Sequence, residues 1–581
     1  MVKIITTFGF LSCILFAGQK LHGQSPVLPK GFAPWEFDEQ LDYSGSRILN
    51  AYDHPPVSPV RASAEWEEID ALTVTWTDYV STVREIVRYA KEECKVYIIC
   101  SDSVEVQNDL VSHDISLDNI YCIEADYNYV WCRDYGQWNI YTNNVDSLYL
   151  GDWIYNRPRP FDDVIPGVIS DYTGIPIYQT IEEPYDLVST GGNFMCDGWG
   201  TGFSSKLILQ AYQGGGLTIE PQNEDTVDMI MNEFMGINRY IKMETLPFDE
   251  IHHIDMHLKL LDEETLLVGE YPDGVADGPQ IEENLNYILD NYNSVFGTPY
   301  KVVRMPMPPG ATGKYPDEGG DYRTYTNCVF INKTVLVPYY EEEFDTTAYR
   351  ILRENLPGYK IIGINCNSII KALGALHCIT KEVASYDPLL ITHQPLHDTE
   401  NTVDDYQVDA WILHRDGIAN GKIFYTVDTL TPWQEIEMVL TDVATNTWTG
   451  FIPAQPDGTT VYYYIEATAN DGKTQVRPIT APEGYWRFNV GEPVAIQSFN
   501  NNLFRLYPNP FAEFVTIELS HEFESGVDIT VTDLTGKIVY LNRTGPMDGK
   551  TTLIFGDLPS GTYILQLKDS VSEASCKIIK L

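Results

Sequence analysis

The sequence predicts a mixed α/β domain followed by two all-β units, and three observations carry that prediction. From Arg61 to about Ile391, apolar runs of strand length alternate with amphipathic runs of helix length, the pattern of an α/β domain. After Pro395 the helical pattern stops, and short strands follow at turn-punctuated spacing. From about Asn500 a third set of alternating strands begins. A chain of 581 residues accommodates roughly three or four domains.

The elements follow in order. Met1-Val2-Lys3, an apolar run from Ile4 to Ala17 and a polar stretch to Gly23 read as a signal peptide over 1–23, cleaved between Gly23 and Gln24. The run is too short for a membrane span of about 20 residues. Cys13 lies inside it, whereas a lipoprotein cysteine would end it. Residues 24–60 are Pro-rich and without periodicity, a leader expected to wrap the surface. Within 61–394 the pattern predicts strands at Ala71–Trp76 and Lys95–Cys100 around a helix over Thr82–Glu93. Further helices are expected over Glu224–Met235 and Ile281–Asn291. Further strands are expected at Leu258–Leu261, Leu266–Val268, Tyr300–Arg304, Cys328–Ile331 and Thr334–Val337. Residues 395–495 carry six short strands between Val408 and Val490, the spacing of an immunoglobulin-like β-sandwich, without a cysteine pair to staple it. Residues 500–581 read as a small all-β module, with strands at Phe514–Glu518, Asp528–Leu534 and Cys576–Leu581.

Composition narrows the function. With 38 Lys+Arg against 83 Asp+Glu the net charge is −45, which excludes a nucleic-acid binder, since that needs basic patches. An acidic surface instead concentrates cationic small molecules and peptides. Nine of the ten cysteines lie beyond the signal. The odd number leaves at least one thiol unpaired, and nine are too sparse for a disulfide scaffold. Cys94, Cys100, Cys122 and Cys328 sit in apolar strand contexts and read as buried small hydrophobes. No Cys-x-x-Cys pair points to structural zinc.

Three separated segments carry the chemistry. Cys378 lies in Gly374-Ala375-Leu376-His377-Cys378-Ile379-Thr380, after a helix-like run from Asn367 to Leu373. That setting is expected to hold a thiol near the surface with a lowered pKa. Upstream lie Trp131-Cys132-Arg133-Asp134 and His252-His253-Ile254-Asp255. One thiol, one imidazole and two carboxylates suit attack on a bound cation. Guanidinium is planar, permanently charged and rich in donors, so two carboxylates in its plane would hold its central carbon for a thiolate. A histidine then serves as acid and base. The His-x-Asp spacing favours His253 over His252 and His257, because alternate residues of a strand face one side. Asp134 is expected to point away from its neighbour Arg133, and His377 reads as structural. Gly191-Gly192-Asn193 is a turn and not a phosphate loop, since no Lys-Ser/Thr follows.

Residues 61–391 resemble the guanidino-group-modifying superfamily. The resemblance is strongest to the Porphyromonas-type peptidylarginine deiminases, with agmatine deiminases as relatives. Ala64-Glu65-Trp66-Glu67, Trp131-Cys132-Arg133-Asp134, His253-Ile254-Asp255 and Gly374 to Thr380 carry it, in family order. The resemblance implies a pseudo-fivefold α/β propeller with Cys378 as nucleophile, His253 as acid/base, and Asp134 and Asp255 as guanidinium clamps. Asn327 matches a further active-site position, and Trp131, Arg157 and Arg159 are the candidate substrate-binding residues. In the resembling enzymes an Arg-Pro-Arg segment like Arg157-Pro158-Arg159 grips the α-carboxylate of a C-terminal arginine. The competing reading pairs these arginines with Asp162 and Asp163 in a surface network. Tyr507-Pro508-Asn509-Pro510, Asp533-Leu534-Thr535-Gly536 and Leu558-Pro559-Ser560-Gly561-Thr562-Tyr563 resemble the C-terminal sorting domains of type IX secretion cargo. That implies export through this machinery and attachment at the outer-membrane surface.

The expected activity is therefore a secreted deiminase converting peptidyl, preferably C-terminal, or free arginine to citrulline and ammonia, with arginine peptides as partners. The scheme calls for no metal, cofactor or nucleic acid. An agmatine deiminase is the nearest alternative; agmatine has no carboxylate for the arginines to hold. A cysteine protease would leave Asp134 and Asp255 idle, and a surface adhesin would leave the whole constellation idle. No role is assigned to Cys132.

Overall fold

The computed structural model describes residues 28–33, 35–36, 48, 51–210 and 222–491. Beyond them it describes 504–507, 509, 511, 514–519, 527–533, 537–544, 550–555, 558–559, 561–568 and 573–580. The signal-peptide reading over 1–23, and parts of the Tyr507–Pro510, Asp533–Gly536 and Leu558–Tyr563 motifs, lie outside the described residues.

The α/β part is one structural sentence written five times. An antiparallel strand pair is followed by a helical crossover to a third, parallel strand. Ser147–Tyr155 crosses over 160–173 to Ile177–Thr180; Thr201–Ser205 crosses through Glu224–Met235 to Arg239–Met243. Thr265–Glu270 reaches Lys301–Pro306 through Gly278–Asn291, and Thr334–Tyr339 reaches Lys360–Asn365 through Glu342–Asn355. In the remaining sheet Ile69–Thr75, Lys95–Cys100 and Ile120–Glu124 are parallel. Its antiparallel partner is Lys381–Ala384, from the far end of the domain. The last strand thus hydrogen-bonds to one of the first, 312 residues from Ile69 to Lys381 being brought edge to edge.

The helices cover the sheets with one face each. Val80–Ala90 buries Val83, Ile86, Val87 and Ala90 at i, i+3, i+4, i+7 spacing. Asp102 caps the next helix, Ser103–Ser112, by accepting from the backbone N–H groups of Val104 and Glu105. One core cluster runs through all five sheets, from Trp66 and Leu72 to Cys378 and Val383.

Several expectations are corrected here. Trp138–Thr142 and the nine-residue Ser147–Tyr155 are strands that the periodicity missed, because both faces are buried and the alternation is lost. The run from Asn367 to Leu373 holds only a 3-10 turn, Ile370–Ala372, and Leu373 turns left-handed at φ 68°. Cys122 is only half-buried, while Cys94, Cys100 and Cys328 are buried as expected. The leader wraps the surface only in part: residues 51–59 lie at the surface, but Lys30, Phe32, Ala33 and Glu36 are buried.

Past the α/β part, seven strands form one hydrogen-bonded path, and an eighth, Trp486–Asn489, branches from it onto Thr460–Ala469, around a second core that includes Val408, Ile423, Tyr463 and Phe488. Leu390–Thr392 pairs with Tyr406–Leu413, so this unit takes its first strand from ahead of Pro395. It is docked on the α/β part by Arg477 to Glu263 at 2.9 Å, Lys473 to Glu68 at 2.8 Å and the crossed rings of Trp199 and Trp411. The C-terminal strands form two sheets over a third core around Val515, Ile529 and Leu565.

Gly236 ends the helix Glu224–Met235 at φ 70°, and a Cβ there would stand 1.9 Å from the carbonyl oxygen of Val60. Gly236→Ala is therefore expected to destabilise the fold by at least about 1–2 kcal/mol from the left-handed backbone alone, with the clash added. Chemical denaturation of the purified variant checks this.

Candidate active site

Each sheet is preceded by a tight segment, and these segments meet one another. The helical turn Cys132–Tyr135 precedes Trp138–Thr142, and the 3-10 turn Gly191–Asn193 precedes Met195–Cys196. The turn Ile254–Met256 precedes Leu258–Leu260, residues 324–327 precede Val329–Ile331, and the turn His377–Ile379 precedes Lys381–Ala384. The five repeats therefore deliver Asp134, Gly192, His253 with Asp255, Asn327 and Cys378 to one place. The expected alternation of His253 and Asp255 along a strand is corrected: both lie at a 3-10 turn.

Cys378 is fully buried, and the Nδ2 of Asn327 donates to its Sγ at 3.2 Å. Asn327 is held in turn by the backbone N–H of His377, which donates to its Oδ1 at 3.0 Å. Asp255 faces the same sulfur, Sγ to Oδ2 at 3.6 Å. Its Oδ2 also meets His377 Nδ1 at 2.8 Å, and His377 Nε2 meets Glu65 Oε1 at 2.9 Å. His377 is thus the residue that orients Asp255, with Glu65 fixing the far side of the ring and Lys259 bonded to Glu65. Asp134 lies across the site, 3.5 Å from His253 Nδ1, and accepts from the backbone N–H of Gly192 at 3.2 Å. Arg133 turns away to Glu382, at 2.8 Å, so it does not pair with Asp134. Of the rival histidines, His252 points elsewhere on a left-handed backbone of φ 57°, and buried His257 has its pKa lowered to about 4.

Two glycines make the close approach. A Cβ on Gly192 would lie 2.6 Å from His253 Nδ1 and 2.8 Å from Asp134 Oδ1. A Cβ on Gly374 would lie 2.5 Å from the Trp131 ring. Trp131 is fully buried at the wall, and Cys132 packs with its Sγ toward the carbonyl of Thr73.

The leader supplies a residue that sequence reasoning missed. Lys30 Nζ donates to Cys378 Sγ at 2.8 Å and pairs with Asp255 Oδ1 at 3.5 Å. Trp131 Nε1 donates to the carbonyl of Leu28, and Arg157 Nε to that of Lys30, at 3.2 and 3.3 Å. Arg159 donates to Pro29 and Gly31 carbonyls, each at 2.9 Å, and forms a two-pronged pair with Glu36. The surface-network reading of these arginines is corrected. Both are buried and face the leader, Asp162 accepts from the N–H groups of Asn128 and Tyr129, and Asp163 accepts from that of Tyr155.

The electrostatics follow from burial. The Cys378 thiol is pushed up to about 12 by desolvation and by Asp255, with Lys30 opposing; the expected exposed, acidified thiol is corrected on both counts. Burial raises Asp134. Burial also works against the charge on Asp255, but Lys30 and His377 outweigh it and hold Asp255 ionised. His253 is kept neutral by burial and by the Lys30 ammonium. Lys30 stays protonated because Asp255, Cys378 and Asp134 outweigh its desolvation. Among the described residues, no His, Cys, Asp and Glu group at this site has metal-binding geometry.

With this geometry in hand, comparisons are informative. The model of the Porphyromonas-type peptidyl-arginine deiminase family matches residues 59–383, and that of the secretion system C-terminal sorting domain matches 505–581. A protein of Mycoplasma mycoides, provisionally named agmatine deiminase, is 25% identical over 357 residues, covering 55% of this chain and 94% of its own. One of Vibrio parahaemolyticus with the same provisional name is 21% identical over 364 residues, covering 55% and 95%. The solved agmatine deiminase of Enterococcus faecalis superposes with a TM-score of 0.50 at 18% identity, over 58% of this chain and 100% of its own. That likeness establishes the α/β fold. The sorting domain marks the protein as secreted or cell-surface and as a client of the type IX secretion system. No helix among the described residues is long and apolar enough to cross a membrane.

Because the thiolate is the reactive form and the folded-state pKa of Cys378 is raised to about 12, its thiolate fraction lies below that of a free cysteine, about 8.5, at every pH between. Iodoacetamide labelling of Cys378 in the full chain is expected to be slow. It should still climb about tenfold per pH unit between 8 and 10, a range over which an ordinary thiol gains only about fourfold in all. Peptide mass spectrometry of timed samples reads this.

Proposed function

We propose that this chain, which belongs to the Porphyromonas-type peptidyl-arginine deiminase family, hydrolyses the guanidinium of peptidyl, preferably C-terminal, or free arginine to citrulline and ammonia. The family establishes a deiminase acting on guanidino groups. The choice of arginine over agmatine is our reading, and one observation carries it. Arg157 donates to the main-chain carbonyl of the residue whose side chain lies against Cys378, and Arg159 to the carbonyls on either side. Two buried cations aimed at main-chain oxygens suit a substrate that has such an oxygen, and agmatine has none.

In this reading the guanidinium lies between Asp134 and Asp255, and its charge replaces that of Lys30 beside the sulfur. His253, neutral at the outset, takes the Cys378 proton, and the thiolate so formed adds to the guanidinium carbon. The imidazolium then gives that proton to the departing ammonia, leaving an S-alkyl isothiouronium, and the neutral ring takes one from the water that attacks it. Collapse releases the urea group and restores the thiolate. Asn327 steadies the sulfur, and His377 with Glu65 holds Asp255 in plane. We further read the five sheets as a pseudo-fivefold propeller over 61–394. We read 395–495 as an immunoglobulin-like sandwich and 500–581 as the sorting module. The repeat of crossovers and the separate cores support three such units, with the sandwich extended to take in Leu390–Thr392.

Citrulline and ammonia are to be measured from a peptide ending in arginine, its C-terminal amide, and agmatine, with both the full chain and Lys30→Ala. The free-acid peptide is expected to be turned over best. Equal turnover of agmatine would sink the arginine assignment, and no product from either chain would sink the reading as a whole. Asp255→Asn is expected to lower kcat/KM about 10–100-fold, the worth of one charge-assisted hydrogen-bond pair. Gly192→Ala, which drives a methyl between His253 and Asp134, is expected to cost about 100-fold while circular dichroism stays unchanged.

A further inference from the structure

Lys30 has no place in the chemistry just described. Its ammonium is fully buried, 348 residues in sequence from the cysteine it touches. It stands where a guanidinium would have to stand, in contact with Cys378 and Asp255. A carbon poised for attack needs about 3–3.5 Å from the sulfur, and a nitrogen already occupies 2.8 Å. Cys378, Asp134, His253 and Asp255 are each at most 1% exposed, so the site is closed as well as filled.

The rest of the segment is held as a ligand is held. The backbone N–H of Lys30 donates to Ala372 O at 3.2 Å. The Phe32 ring lies under the Arg157 guanidinium at 4.4 Å. Glu36 accepts from Arg159 and also from the backbone N–H of Ala33 at 2.7 Å, which closes the segment on itself. Trp131, Arg157 and Arg159, the three residues assigned to substrate on other grounds, all bond to it. Lysine suits this position chemically: it offers the carboxylates a cation but offers the thiol no electrophilic carbon. Among the described residues the first strand is Val60–Ala62, so the segment can depart without breaking a sheet.

We propose that residues 28–33 and Glu36 form a built-in pseudosubstrate that occupies the arginine site and keeps the enzyme off until the segment leaves. The proposal rests on the deiminase reading of the same site. The rival assignment makes Lys30 a permanent positioning residue that activates the Cys378 thiol. The two predict opposite signs.

The test uses the full chain, Lys30→Ala and Lys30→Arg, with Cys378→Ala as the labelling control. The probe is 2-chloroacetamidine, a small cationic alkylator that needs both the empty cation site and the thiol. Labelling of Cys378, located by peptide mass spectrometry, is expected to be at least tenfold faster in Lys30→Ala than in the unsubstituted chain. Citrulline formation from the arginine peptide should rise alongside. Labelling that is unchanged or slower overturns the proposal and favours the rival. Faster labelling with no citrulline from any substrate keeps the plug and removes the deiminase reading. Equal citrulline from both chains keeps the deiminase and removes the plug. Should Lys30→Ala fail to fold, Lys30→Arg keeps the charge and puts a guanidinium in the site. Citrulline at position 30 of that chain is then expected, and its absence while added peptide is turned over overturns the proposal.

Discussion

Two carboxylates face each other in a buried centre, and that constraint shapes the molecule. Asp134 and Asp255 are buried around one small space, so each disfavours the charge of the other. Desolvation alone would protonate both. The surrounding residues split them: Lys30 and His377 keep Asp255 ionised, while burial and Asp255 leave Asp134 raised despite Lys30 and one backbone N–H. The pair therefore has a standing demand for a cation, met in this structure by Lys30. A second tier of charge makes the first rigid. Glu65 joins His377 to Lys259, and Glu382 joins Arg133 to Lys381, all in the interior. Buried ions persist only when each has its partner, so the tight turns that carry them are fixed to one another more firmly than loops usually are.

Much of this was legible in the sequence, for reasons of period. Lys95–Cys100 and Glu224–Met235 were read to the residue, because an apolar run and a one-sided helix leave a local signature. The convergence of Cys378, His253, Asp134, Asp255 and Asn327 was legible only as a set of motifs. Each of these residues sits on a turn of a few residues, with no period to read. The strand reading of His253 and Asp255 chose the right histidine to face Asp134 for the wrong local reason.

What the sequence concealed is non-local. The environment of Cys378 is set by Asn327, Asp255 and Lys30, which lie 51, 123 and 348 positions away; a local run cannot report that. The leader looked featureless because Pro-rich chain has no periodicity, yet its hydrogen bonds go to Trp131, Arg157, Arg159 and Ala372. Complementarity of that kind exists only in three dimensions. The docking of the β unit through Arg477 and Lys473 is of the same sort.

The pairing of Lys381–Ala384 with Ile69–Thr75 has a bearing on time as well as space. Contacts so distant in sequence form late, since the loop they close is long and its entropy must be met first. Cys378 sits three residues ahead of that final strand, which begins at Lys381. A chain emerging in order, or threading outward through a membrane, therefore carries its thiol uncommitted until the last strand finds the first sheet. Assembly of the fold and the gathering of Asp255, Asn327 and Lys30 around the sulfur are the same event.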